Sequence, residues 1–157
     1  MRIVAMVPAR LGSKRIKKKN LRLIDGKPLI GNILDTLSQC KCFDGVYLNS
    51  EASIFKEVAK EYGCHFYKRP ENLASDQATN DEFCNDFMKN VEGDIVIQIL
   101  PTSPLITPNE IESFVTQMLD KQYDTFLVQS VWVDLNRQEQ QDLFLYYIHN
   151  HLRYVRM

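Results

Sequence analysis

No apolar run among the 157 residues approaches the ~20 that a membrane-spanning helix requires. Charge of one sign is not in excess either: the formal net charge is -1, which gives no global reason to expect a nucleic-acid or membrane-surface partner. Cysteine is scarce. The four thiols, at Cys40, Cys42, Cys64 and Cys84, have neither zinc-site spacing nor the density of a disulfide scaffold, so free thiols in a reducing compartment are expected. The chain enters a strand pattern at Ile3 with no leader-like stretch before it, and the expectation is a cytoplasmic protein. Two glycine signatures of phosphate binding, GxxxxGK[ST] and GxGxxG, are both missing. No internal repeat or low-complexity linker divides the chain, whose length suits one domain with a real core.

What is present is concentrated near the start. The apolar run Ile3 to Val7 reads as a buried strand, ended by Pro8, which has no N–H to give to a sheet. A loop with one glycine, one serine and many cations follows. Eight of the 19 Lys and Arg residues lie between Arg10 and Lys27, with Asp25 the only acid among them. A strand opening into a small-residue, cationic loop suits a polyphosphate, because backbone N–H groups approach it near Gly12 while Lys and Arg heads neutralise charge. A solvated basic loop, or a nucleic-acid patch on Lys17 to Lys19, would account for the lysines but not for the residues around them.

Downstream, helical and strand patterns alternate. Helices are predicted over Pro28 to Cys40, Ser53 to Tyr62 (stopped by Gly63), Asn80 to Val91 and Thr107 to Lys121. Strands are predicted over Gly45 to Asn49, Cys64 to Tyr67, Asp94 to Leu100 and Asp124 to Val131. This rhythm predicts an α/β fold: a doubly wound, mostly parallel sheet with helices on both faces and a ligand crevice beyond the carboxyl ends of its strands. Thr79 with Glu82, and Thr107 with Pro108 and Glu110, read as capping boxes. Ser50 reads as a helix cap.

The segment PARLGSKRIKKKN, with LRLIDGKPLI after it, resembles the N-terminal signature of cytidylyltransferases that activate sialic acid and related acidic sugars. The matching positions are Ala9, Arg10, Gly12, Ser13, Lys14, Lys19, Asn20, Gly26, Lys27, Pro28, Leu29 and Ile30. Arg69, Pro70, Leu73, Ala74 and Asp76 fit a second family pattern, and PTSPL, Pro101 to Leu105, a third. Two loops depart from it. Asn49-Ser50-Glu51-Ala52 stands where Ser-Thr-Asp-Asp is usual. Leu100 stands where the family commonly has glutamine; Gln98 shares its strand face but lies ~7 Å back along the strand.

The resemblance implies a nucleotide-diphospho-sugar transferase type of fold (Rossmann-like) and transfer of CMP from CTP to an acidic 2-keto sugar. That sugar would be a sialic, legionaminic, pseudaminic or related acid, and pyrophosphate would leave. It implies catalytic roles for Arg10, Lys14 and Lys19 on the phosphates. It assigns nucleotide contacts to Ala9, Gly12, Ser13, Asn20, Arg69 and Asn80, and sugar contacts to Thr102 and Ser103. For Arg69 a surface pairing with Glu71 stays open as the alternative. Mg²⁺ is implied as cofactor with no protein ligand identified, and a homodimer is left open.

The resemblance fades after about Ser130, so residues 1–130 are expected to form the nucleotide-binding core and 131–157 a divergent tail. Leu143, Tyr146, Tyr147 and Ile148 fit an amphipathic helix, and His149 and His151 read as surface residues. Two other functions are compatible with such a chain: a CTP-binding relic lacking the C-terminal metal and sugar elements, and a module that docks on a partner through its tail.

Overall fold

Strand β1, Ile3–Pro8, explains the architecture because both of its faces are apolar. Ile3, Ala5 and Val7 point into one cluster, and Val4 and Met6 into another. A strand buried on both sides must lie inside a sheet covered by helices on both faces. In the computed structural model, which describes residues 1–13, 16–121, 125–126 and 152–156, that is its position.

The elements run in the order β1, β2 (Leu23–Ile24), β3 (Lys27–Pro28), α1 (Leu29–Gln39), β4 (Gly45–Ser50), α2 (Ile54–Glu61), β5 (His65–Lys68), α3 (Asn80–Asn90), β6 (Ile95–Ile99), α4 (Pro108–Lys121), β7 (Thr125–Phe126) and β8 (Leu152–Arg156). The main sheet has the order β5-β4-β1-β6-β8-β7. β1 pairs in parallel with β4 and β6, and β4 with β5, while β8 runs antiparallel to both β6 and β7. The sheet is therefore mostly parallel, as the alternating pattern predicts.

Helices α1, α2 and α4 cover one face, where Ile33, Leu37, Phe55, Ile111 and Phe114 meet Ile97 and Ile99 of β6. Helix α3 covers the other through Cys84 and Phe87. Each large aliphatic or aromatic side chain removed from water in this way stabilises the fold by roughly 1.5–3 kcal/mol. The chain lays β4 and β5 on one side of β1, then crosses to the other side for β6. The loops after β1 and β6 thus diverge at a switch point, where doubly wound sheets open a crevice.

Several local expectations are refined. Pro28 stands just before α1 rather than within its first turn, so its fixed φ sets the entry to the helix. Gly63 follows α2 with φ 66°, a left-handed stop that costs glycine nothing. The Thr79–Glu82 capping box is present in full, and Thr107 and Glu110 exchange the bonds of the second. Ser50 does not cap α2; its Oγ accepts from Ala52 N at 3.3 Å, closing a local turn, and Ser53 precedes the helix. The antiparallel β2–β3 pair was not anticipated. Its two turn residues, Asp25 (φ 49°) and Gly26 (φ 81°), are both left-handed, as a tight Asp-Gly hairpin turn requires.

All four cysteines are free thiols. Of the strand predicted over 124–131, Thr125–Phe126 is seen as strand and the remainder lies outside the described residues. The predicted helical stretch around Leu143 to Ile148, His149 and His151 lie outside them too. Within the tail, Leu152–Arg156 joins the main sheet beside β6, a pairing the sequence pattern did not signal. No described helix is long and apolar enough to cross a membrane.

Candidate functional site

The cationic loop leaves β1 at the carboxyl edge of the sheet and is tied down residue by residue. Ala9 N donates to Asn49 O at 2.9 Å, continuing the β1–β4 ladder one residue past the strand. The Ala9 carbonyl accepts from Arg69 Nη2 at 2.6 Å. Leu11 N donates to Glu51 Oε1 at 2.7 Å. The Arg10 carbonyl accepts from Asn20 Nδ2 at 3.4 Å. Three separate loops therefore hold the stretch Ala9 to Leu11: those following β4 and β5, and the short 3-10 turn Lys19–Leu21.

The side chains at this site divide by burial. Arg10 is half-exposed and donates from Nη1 to Asp76 Oδ1 at 2.8 Å. Arg69 is only 3% exposed, and its guanidinium carbon lies 4.8 Å from the centre of the Phe83 ring. Its Nη2 faces Glu51 Oε2 at 3.4 Å, and its Nε is buried without a partner. Burial pulls the Arg69 pKa below the usual guanidinium range, and Glu51 offsets part of that pull. An arginine keeps its charge regardless, so the buried cation demands a counter-charge, and Glu51 supplies it. The alternative pairing with Glu71 is not the one seen.

Asn20 is buried, and Lys19 beside it is half-buried. Gly12 is exposed, and a Cβ there would meet no protein atom within 4 Å, so space is left open above the loop at this position. Ser13 follows it, half-buried. Lys14 lies outside the described residues.

A second group gathers where β6 meets the start of α3. Asn80 Nδ2 donates to Gln98 Oε1 at 3.0 Å, and Gln98 Nε2 donates back to Asn80 Oδ1 at 2.7 Å. Cys84 Sγ lies 3.7 Å from the same Gln98 oxygen. The expected ligand contact Asn80 is thus engaged with Gln98, which lies two residues before the glutamine position of the resembled family. After β6, the two hydroxyls of LPTSP part company. Thr102 is exposed, whereas Ser103 is 5% exposed and its Oγ has no partner.

The structure therefore brings Ala9, Arg10, Asn20 and Arg69 into one bonded unit. It places Asn80, Thr102 and Ser103 on neighbouring loops of the same sheet edge. Sequence reasoning gave no role to Glu51, to Asp76 on Arg10 or to the Gln98–Asn80 pair. Each carried a partial signal: Asp76 in the second matched pattern, Glu51 in the departure at Asn49 to Ala52, and Gln98 beside the glutamine position. Among the described residues no group of three or more His, Cys, Asp or Glu side chains could hold a metal ion. The nearby carboxylates Glu51 and Asp76 are turned onto Leu11, Arg69 and Arg10, which does not fit a protein cage for Mg²⁺.

Residues 4–149 match the family model described as cytidylyltransferase. The CMP-N,N'-diacetyllegionaminic acid synthase of Legionella pneumophila is 35% identical over 117 residues, 71% of this chain and 50% of that protein. The N-acylneuraminate cytidylyltransferase of Oncorhynchus mykiss is 31% identical over 121 residues, 76% of this chain and 28% of that protein. Among solved structures, CMP:2-keto-3-deoxy-manno-octonic acid synthetase complexed with CTP superposes with a TM-score of 0.70. It is 24% identical, and the likeness covers 80% of this chain and 50% of that one, supporting the fold alone. The chain spans half or less of the length of these relatives. From the family match and the two relatives, this chain belongs to the cytidylyltransferase family.

Proposed function

We propose that this chain carries the CTP cradle of an enzyme that transfers CMP from CTP to an acidic 2-keto sugar. The observation that carries the reading is the stretch Ala9 to Leu11, braced from three sides, with open space above Gly12 and a cationic sequence running on to Lys19. A hydroxyl oxygen of the sugar forms the new bond to the α-phosphorus, and its proton passes to solvent. The bond from that phosphorus to the bridging oxygen breaks, and pyrophosphate leaves with the electron pair. Arg10, Lys14 and Lys19 offset the charge that grows on the phosphates, and Gly12 and Ser13 let backbone N–H groups approach them. Asn20 and Asn80 lie toward the cytidine, and Arg69 acts on that side mainly through the loop whose carbonyl it holds. Thr102 and Ser103 line the sugar side.

The sugar class is inferred from relatives named for sialic and legionaminic acids. Mg²⁺, expected on the triphosphate, has no cage among the described residues. A cytoplasmic location and a homodimer complete the reading. The test is pyrophosphate release from CTP with a panel of nonulosonic acids, using the chain and Lys19→Met. Release that depends on both substrates and falls about 10²-fold in Lys19→Met is expected. Binding of CTP without release would leave a cradle separated from its catalytic partner groups.

A further inference from the structure

Glu51 belongs to the loop after β4, yet apart from the neighbouring Ser50 the polar groups it meets serve other loops. Its Oε1 accepts the Leu11 N–H at 2.7 Å. Its Oε2 faces Arg69 Nη2 at 3.4 Å and accepts from Ser50 Oγ at 3.3 Å. Its own carbonyl accepts from Lys68 Nζ. Arg69, which it neutralises, in turn donates to the Ala9 carbonyl two residues before Leu11. The carboxylate and the guanidinium therefore pin both ends of Ala9-Arg10-Leu11, while the Arg10 side chain projects from the segment between them.

We propose that Glu51 is a positioning residue that holds the anion-binding loop in its ligand-ready shape, by taking the Leu11 N–H and balancing the buried Arg69. The inference rests on the nucleotide reading above and names how that site is preorganised. An acid beside a triphosphate site would repel its ligand, but this one is already neutralised by Arg69 and sits beside Lys68. The Leu11 N–H is occupied by protein, which leaves Gly12, Ser13 and the cationic side chains to meet the phosphates. A loop fixed before binding spends no affinity on being ordered.

Glutamine at this position keeps an acceptor for Leu11 N and gives up the charge; alanine gives up both. The experiment compares wild type, Glu51→Gln, Glu51→Ala and the double variant Glu51→Ala/Arg69→Met, which removes the orphaned cation. Each is titrated with CTP by calorimetry at a temperature where circular dichroism shows it folded. Amide hydrogen exchange at Leu11 is read in the free proteins. Glu51→Ala and the double variant are expected to bind CTP at least about tenfold more weakly, with Glu51→Gln weakened less than Glu51→Ala, since it keeps the Leu11 acceptor and loses only the charge that balances Arg69. Wild-type affinity in Glu51→Ala, or equal loss in Glu51→Gln, would overturn the proposal. If wild type itself binds no CTP, the nucleotide reading fails and the exchange data decide the rest. Faster exchange at Leu11 in Glu51→Ala than in Glu51→Gln supports the brace, and unchanged exchange removes it.

Discussion

Arg10 and Arg69 stand on the same sheet edge in opposite electrostatic situations. Arg10 and Asp76 are both well exposed to solvent, 39% and 47% by side chain, so their ion pair is screened and weak. An incoming polyanion meets little resistance in displacing Asp76. Arg69 is buried against Phe83, Glu51 and the Ala9 carbonyl, and removing it leaves those acceptors without their donor. Asp76→Asn is therefore expected to lower unfolding free energy by less than about 1 kcal/mol. Arg69→Ala should cost on the order of 3 kcal/mol. Urea unfolding of the two variants checks this. Equal losses would mean that the Arg69 brace carries no special stability.

At the scale of elements, α3 depends on its first turn. Thr79 accepts from Glu82 N at 3.3 Å, and Glu82 accepts from Thr79 N at 2.7 Å, so two otherwise unpaired N–H groups are satisfied. The bonds that Thr79 N and Thr79 Oγ1 donate to its carboxylate hold the Glu82 carboxyl below its usual pKa. A depressed folded-state pKa gives stability that is present above the unfolded value of about 4.3 and lost as pH falls through the folded value. Thr79→Ala should cost about 1 kcal/mol at neutral pH. Its deficit should shrink as the medium is acidified below pH about 4, measured by thermal unfolding along a pH series. A deficit independent of pH would detach the cap from Glu82.

That capping box was legible because its partners are three residues apart, and long helices were legible for the same reason: their signal is local and repeated. The β2–β3 hairpin escaped because each strand has two residues, too few for alternation to show, although Asp25-Gly26 is the turn such a hairpin needs. The Glu51–Leu11 and Gln98–Asn80 contacts were illegible for a different cause. They join segments 40 and 18 residues apart, and only the sheet order brings them together. That a loop follows β1 could be read directly, since Pro8 ends the apolar run and the cations after it are a matter of sequence alone.

For the whole molecule, the order β5-β4-β1-β6 sets the site by placing the loops after β1, β4, β5 and β6 along one edge. The buried faces of β1 keep that edge rigid, because Val4, Ala5, Met6 and Val7 are fully enclosed. Strand β8 extends the sheet beyond β6, so β6 is paired on both sides and the LPTSP loop leaves from an interior strand. In the proposed function this edge selects a cytidine triphosphate. That selection is tested most directly by calorimetric titration of the 157-residue chain with CTP, ATP, GTP and UTP, each with and without Mg²⁺. The expected result is saturable binding of CTP with at least about tenfold preference over the other three. Equal affinity for all four, or no binding to any, would contradict the account of the Ala9 to Asn20 loop as a CTP cradle in this chain.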